Sequence, residues 1–242
     1  RFGRATVAPR LALDLARGIE IAFGPAFEFV DVREDEDRFV TVPQPGITEN
    51  TFGQLVYGAA EAALTLQSID HAPNPRQGFR WRTTADAHLN LEDRGDAYLT
   101  LASDLAFYAS PSLTPQLTVA ARAGGEHIAG TFPFFDAATL GGKDNLRGYR
   151  STRFAGRTSA YQNLDVRVEV FDFGGYLGYG EAGVLGFLDN GRVWTDGEDS
   201  RTWHQGYGGG LWAHLFDAAT LTATYALSPE ARTFTLQLGF QF

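Results

Sequence analysis

The stretch Phe79–Leu91 alternates apolar and polar residues along almost its whole length. Phe79, Trp81, Ala85, Ala87, Leu89 and Leu91 fall on one side, and Arg80, Arg82, Thr84, Asp86, His88, Asn90 and Glu92 on the other. A period of two is the signature of a strand with one apolar and one polar face. The same pattern runs through Val7–Leu15, Ile19–Val32 (broken by Gly24-Pro25), Phe52–Ile69, Ala97–Phe107 and Leu117–Ala123. It returns in Tyr161–Phe171, Leu177–Val193, Gly206–Phe216, Thr220–Leu227 and Ala231–Phe242. Turn chemistry separates the runs: Gly18, the Asp70–Gly78 segment DHAPNPRQG, Asp93-Arg94-Gly95 and Gly174-Gly175. The count is about eleven strands, joined as successive hairpins.

An all-β chain of this pattern has two solutions. In a soluble sandwich the apolar faces meet in a dry core; in a transmembrane barrel they face lipid and the polar faces line a lumen. Periodicity alone suits both. Strand length separates them, because soluble strands favour about 5–6 residues while membrane spans need about 9–11. With strand-end aromatics and the regular meander, length favours an antiparallel outer-membrane-type barrel. Arg80, Arg82, Asp86, Arg167 and Glu169 would then be lumen residues.

Composition narrows the function. No run of about 18 apolar residues exists to form a helical span, and mean hydropathy is −0.18. A net charge of −9 argues against nucleic-acid binding. The absence of cysteine removes disulfides and thiol chemistry. His71, His88, His127, His204 and His214 have no metal-ligand spacing, and no G-x-S-x-G elbow occurs. The glycine run Gly206–Gly210 lies in no βα unit, so it is no nucleotide loop. Asp35 and Asp37 read as solvated loop charges in an acidic connection. The expectation is one domain, residues 1–242, non-enzymatic, with no metal and no cofactor.

One segment breaks the alternation. Residues 130–158 form a long irregular connection whose centre reads LGGKDNLRGYRSTRFAG, Leu140 to Gly156. Long irregular connections within regular folds are usually functional or disordered, and the glycines around Arg147 suggest a shaped loop.

Here the chain resembles the C-terminal barrel of the BamA/TamA superfamily of outer-membrane assembly and translocation proteins. This group is also called the bacterial surface antigen family and includes two-partner secretion transporters. Leu146-Arg147-Gly148-Tyr149 is similar to its hallmark loop tetrad, and Phe187-Leu188-Asp189-Asn190-Gly191 to its F-x-D-x-G strand signature. The closing strand FTLQLGFQF resembles its aromatic C-terminal strand, with Phe234, Leu236, Leu238, Phe240 and Phe242 on one face. Pro75–Phe79 is similar to a family turn. The resemblance implies a sixteen-stranded barrel whose hallmark loop lies between the eleventh and twelfth strands. Five strands follow the loop here and about six precede it, so the chain reads as the C-terminal part of such a barrel, or else as a shortened one.

By that resemblance the loop arginine reaches into the lumen and pairs with wall carboxylates, which by motif match are Asp189 and Glu169. Asp189 shares parity with Leu185 and Phe187. Either a bulge near Gly186 changes the phase, or these apolar side chains pack under the loop. Trp194, Trp203, Tyr207 and Trp212 are candidates for interfacial girdles. The terminal strand is a candidate sorting signal read by strand pairing. The implied function is insertion or translocation of other proteins in the bacterial outer membrane. The implied partners are outer-membrane lipid, unfolded outer-membrane or secreted clients and accessory periplasmic proteins, but not nucleic acid. The alternatives are a translocating or anchoring barrel for a fused domain such as a patatin-like lipase, and a soluble β-sandwich binding module.

Overall fold

The alternating segments pair side by side into a single antiparallel sheet. The computed structural model describes residues 2–32, 53–71, 73–92, 97–112, 115–175, 178–197, 201–216 and 218–242. The acidic connection with Asp35 and Asp37, Phe52, the Asp93-Arg94-Gly95 turn and Leu177 lie outside the described residues. The strands before the long loop are β1 (Phe2–Val7), β2 (Leu11–Ala16), β3 (Ile19–Val32), β4 (Gly53–Ile69), β5 (Gly78–Asn90), β6 (Ala97–Ala109) and β7 (Leu117–Gly130). The loop carries a two-stranded ribbon, β8 (Ala138–Leu140) and β9 (Phe154–Gly156). After it come β10 (Thr158–Gly175), β11 (Gly178–Trp194), β12 (His204–Leu215), β13 (Ala219–Leu227) and β14 (Arg232–Leu238).

The main sheet has 12 strands in meander order, with β7 pairing β10 across the loop. β1 and β2 lie end to end along β3, so eleven strand positions cross the sheet, six before the loop and five after it. Among the described residues no ladder joins β14 to β1 or β2. The split between β1 and β2 has a local cause. Leu11 pairs with Phe23 and Val7 with Phe27, which sets Pro9 opposite Pro25. Neither proline has an N–H to donate, so the ladder lapses between them. β3 itself is not broken at Gly24-Pro25: it pairs continuously with β4 from Ile19 to Val32.

The faces settle the choice of architecture. Leu238 is 81% exposed, Phe234 70% and Leu211 64%, while Asp189 is 0% and Asp165 1% exposed. Phe23, Phe27, Phe29, Trp81, Leu99, Leu101, Phe107, Leu164, Val184 and Leu188 also point outward. A soluble fold buries its large apolar residues and exposes its charges. This sheet does the reverse, as a lipid-facing barrel wall must. The soluble β-sandwich is therefore excluded, because the apolar faces do not meet one another.

Of the two phase alternatives at Asp189 the inward packing of the apolar residues holds, and one expectation, at the closing strand, needs correction. There is no bulge at Gly186; the irregularity of the β10–β11 hairpin lies between Glu169 and Phe171 on β10. Leu185 and Phe187 face inward and are buried with Trp212 and Ala226, against Phe240. The closing strand does not alternate to its end. β14 stops at Leu238, and Gly239 has a φ of 83°, in the left-handed region. Phe234, Leu236 and Leu238 stay outside, whereas Phe240 and Phe242 turn into the lumen.

Candidate functional site

The long loop crosses the interior. Its first part, Phe132 to Ala138, rests on the inner ends of β3–β7, packed with Val30, Val32, Leu55, Tyr57, Tyr98 and Ile128. Asp136 takes hydrogen bonds from Arg4 and from the Tyr98 hydroxyl. The tetrad part lies against β10–β12, where Leu140, Leu146 and Tyr149 form their own small core with Phe154, Tyr161 and Val193. Asn145 shapes the turn, accepting from Gly141 N at 2.8 Å and donating to Thr139 O at 3.1 Å.

Arg147 sits at the centre, 6% exposed. Its Nε donates to Asp189 Oδ2 at 2.8 Å and its Nη2 to Asp189 Oδ1 at 2.7 Å, a two-point fork. Nη2 also donates to Asp165 Oδ1 at 2.6 Å, and the backbone N–H of Arg147 reaches Asp189 Oδ2 at 2.9 Å. The guanidinium lies 3.7 Å from the centroid of the Phe187 ring. Planar donors in a fixed fork suit paired carboxylates, and the aromatic face takes the cation's remaining surface. Burial alone would lower the arginine's pKa; the hydrogen bond and charge of Asp189, with the charge of Asp165, outweigh it and move it up. The cation stays charged, and the apolar Phe187 beside Asp189 forms the floor of the clamp.

Backbone proximity fixes the rest of the tetrad. Gly148 has a φ of 92°, and a Cβ there would stand 2.9 Å from Leu227 O. Its carbonyl accepts from Ser228 Oγ at 2.7 Å. The Tyr149 hydroxyl donates to Gln205 O at 3.1 Å. On the wall, a Cβ on Gly206 would fall 1.8 Å from Arg147 O. The run Gly206–Gly210 thus begins with the surface on which the tetrad backbone rests. Gly191, buried and inward, lies under Leu140, whose Cδ1 is 2.9 Å from where its Cβ would be.

The expected second carboxylate is wrong. Glu169 does not meet Arg147; Asp165 does. Asn163 pairs directly with Asp189 across the β10–β11 ladder, so Asp165 is the next residue on the same face. Glu169 lies four residues further along, about 13 Å at the rise of a strand. It serves another arginine: Arg76 Nη2, from the β4–β5 turn, donates to Glu169 Oε2 at 3.0 Å and to Glu181. Among the described residues Glu169, Asp172 and Glu181 are the acids close enough to share a metal ion, and Arg76 occupies their edge. The parity of Asp165 was readable in the sequence; which acid faced Asp189 needed the hairpin register.

Of the aromatic candidates, Trp194, Trp203 and Tyr207 point outward, with Trp194 and Trp203 in edge contact at 6.3 Å. Trp212 does not join them. It is 5% exposed on the lumen face of β12, with Nε1 donating to Val184 O at 3.2 Å. Its even parity matches Gly206, Gly208 and Gly210. Among the histidines, His88 faces the lumen stacked on Tyr98 at 4.6 Å.

A search of curated proteins finds no match. Among solved structures the chain is similar to BamA from Haemophilus ducreyi lacking POTRA domains 1-3, with a TM-score of 0.75 and 12% identity. The match covers 98% of this chain and 54% of that one, so the chain spans about half the length of that relative. At this identity the likeness establishes the fold. The model of the Omp85 superfamily domain matches residues 57–242, which include the Arg147 loop, both of its carboxylate partners and the closing strand. The chain belongs to the Omp85 superfamily.

Proposed function

We propose that this chain is the membrane barrel of an outer-membrane factor that inserts or translocates other proteins. The observation that carries the reading is the loop held inside the lumen by Arg147 between Asp165 and Asp189. A buried ion pair of this kind defines one position of the loop more than it adds stability. The loop rests on β12 and the β13–β14 turn, next to β14, which among the described residues pairs with β13 alone. A barrel seam that opens along β14 offers unpaired N–H and C=O groups to an incoming strand, the geometry of β-augmentation. In this reading the clients are unfolded outer-membrane or secreted chains that pair there, and periplasmic accessory proteins deliver them. The outward apolar band contacts outer-membrane lipid. We read residues 1–242 as one domain, the C-terminal part of a sixteen-stranded barrel.

The test is Arg147→Ala in the membrane-embedded protein. Client assembly or translocation is expected to fall at least about ten-fold, corresponding to about 1.4 kcal/mol or more at the limiting step, while the barrel stays folded by heat-modifiable gel mobility. Full client assembly with a released loop would overturn the reading.

A further inference from the structure

Among the described residues the lumen holds two more buried arginines: Arg122 on β7 touches both the loop and the inward-turned segment 240–242, and Arg167 on β10 touches that segment and Asp165, a partner of Arg147. Arg122 donates to Asn163 Oδ1 at 3.1 and 2.9 Å and, through Nη2, to the loop carbonyl of Asp144. Asn163 in turn donates to the loop carbonyl of Asn145 at 2.8 Å. The Arg122 guanidinium also lies 4.9 Å from the Phe242 ring centroid. Arg167, 2% exposed, is 3.8 Å from Asp165 Oδ2, the oxygen of Asp165 that Arg147 does not take. It donates to the backbone oxygen of Phe242 at 3.0 Å and covers the Phe240 ring at 3.6 Å. Phe240 packs edge-on to Trp212 at 5.8 Å, and Phe242 packs with Tyr108, Ala106 and Ala120.

A buried cation needs partners. Arg167 Nε and Nη1 have no hydrogen-bond partner among the described residues, so the Phe240 face and the Phe242 oxygen supply much of what holds this charge beside Asp165. Withdrawing the segment would open Arg167 to water and leave Asp165 with a single fixed arginine. It would also remove the Phe242 ring from the Arg122 guanidinium. We infer that the lumen pocket of Arg122, Arg167, Tyr108 and Trp212 is a docking site for the chain's own Phe240-Gln241-Phe242 segment, and that its occupancy is thermodynamically coupled to the seating of the Arg147 loop. The end of the closing strand and the loop then move as one element: with the segment docked the loop is held, and with it withdrawn the loop loosens. Coupling of this kind spans about 5–150-fold between two sites.

Lys143 is the only lysine in residues 1–242 and is exposed on the loop, so the fragment that a lysine-specific protease releases by cutting after it reads loop opening. The experiment compares cleavage after Lys143 in the folded barrel for wild type, Phe240→Ala/Phe242→Ala, Arg147→Ala and all three substitutions together. The segment variant is expected to be cut about ten-fold faster. Its effect should not multiply that of Arg147→Ala, because both release the same loop. An unchanged rate in the segment variant, or fully multiplicative effects, would overturn the coupling. If the double substitution prevents folding, Arg167→Met carries the same test. It keeps the bulk, touches no loop atom and removes the link, so faster cleavage supports the coupling and an unchanged rate refutes it.

Discussion

Two arginines reach across the lumen from opposite ends, each into a pair of acids on β10 and β11, and they do different things. Arg147 descends from the long loop to Asp165 and Asp189, with side chains 6%, 1% and 0% exposed. Arg76 comes from the β4–β5 turn to Glu169 and Glu181 and keeps 29% of its side chain exposed. The residue chemistry is the same. The difference is water: a desolvated pair is costly to break because the partner left behind has no alternative, whereas a part-buried pair that still reaches water exchanges for hydration at less cost. The first clamp fixes a position, and the second is a latch that opens easily.

The sharpest way to break this contrast is to remove one member of the buried clamp. Asp189→Ala leaves Arg147 with one carboxylate and an empty fork, and is expected to cost about 3–5 kcal/mol, read as a lower denaturant midpoint and faster cleavage after Lys143. A cost near that of an exposed pair would erase the distinction. Next is Gly206→Ala, which adds a methyl where the Arg147 carbonyl sits. The backbone cannot swing away as a flexible side chain would, so about 1–3 kcal/mol is expected from overpacking, with the ion pair chemically intact. Loop cleavage at the wild-type rate would show that the tetrad does not rest on this glycine. Arg76→Ala should cost less than about 1 kcal/mol, and salt should abolish even that; Lys143 cleavage should not change.

The smallest effect concerns pH. Burial pushes the Asp70 carboxyl up, but backbone N–H donors from Arg76, Gln77 and His71 outweigh it and bring its pKa below the usual carboxylate value. A depressed folded-state pKa contributes stability that is present above the unfolded value, about 3.9, and is lost as pH falls through the folded one. The turn that presents Arg76 should therefore hold at neutral pH and loosen below about pH 4. Asp70→Asn should remove that dependence, as measured by hydrogen exchange of residues 73–78.

Much of the wall was legible because its information is local. Alternation assigns a side chain to lipid or lumen from its two neighbours, and strand count follows from turn chemistry. That was enough for the eleven positions and for the outward Phe234, Leu236 and Leu238; the match of Arg147 to Asp189 came from the resemblance of the two motifs to the family's. It failed where a single backbone angle or a distant register intervened. Gly239 reverses the phase of the last residues, so Phe240 and Phe242 leave the lipid face. Trp212 was read by residue type as a girdle, although its parity with Gly206, Gly208 and Gly210 placed it inside.

The chain alone determined a wall of long, half-apolar strands with one irregular, arginine-bearing loop, because a period of two and a break in it can be read residue by residue. Only the tertiary structure decided what that cation meets. The β10–β11 register brings Asp165 rather than Glu169 beside Asp189, Phe187 becomes the floor under the guanidinium, and Gly206 leaves room for the loop backbone. These are contacts between segments far apart in sequence. Their partners are selected by pairing and by desolvation in a shared lumen, and neither leaves a trace in the local pattern.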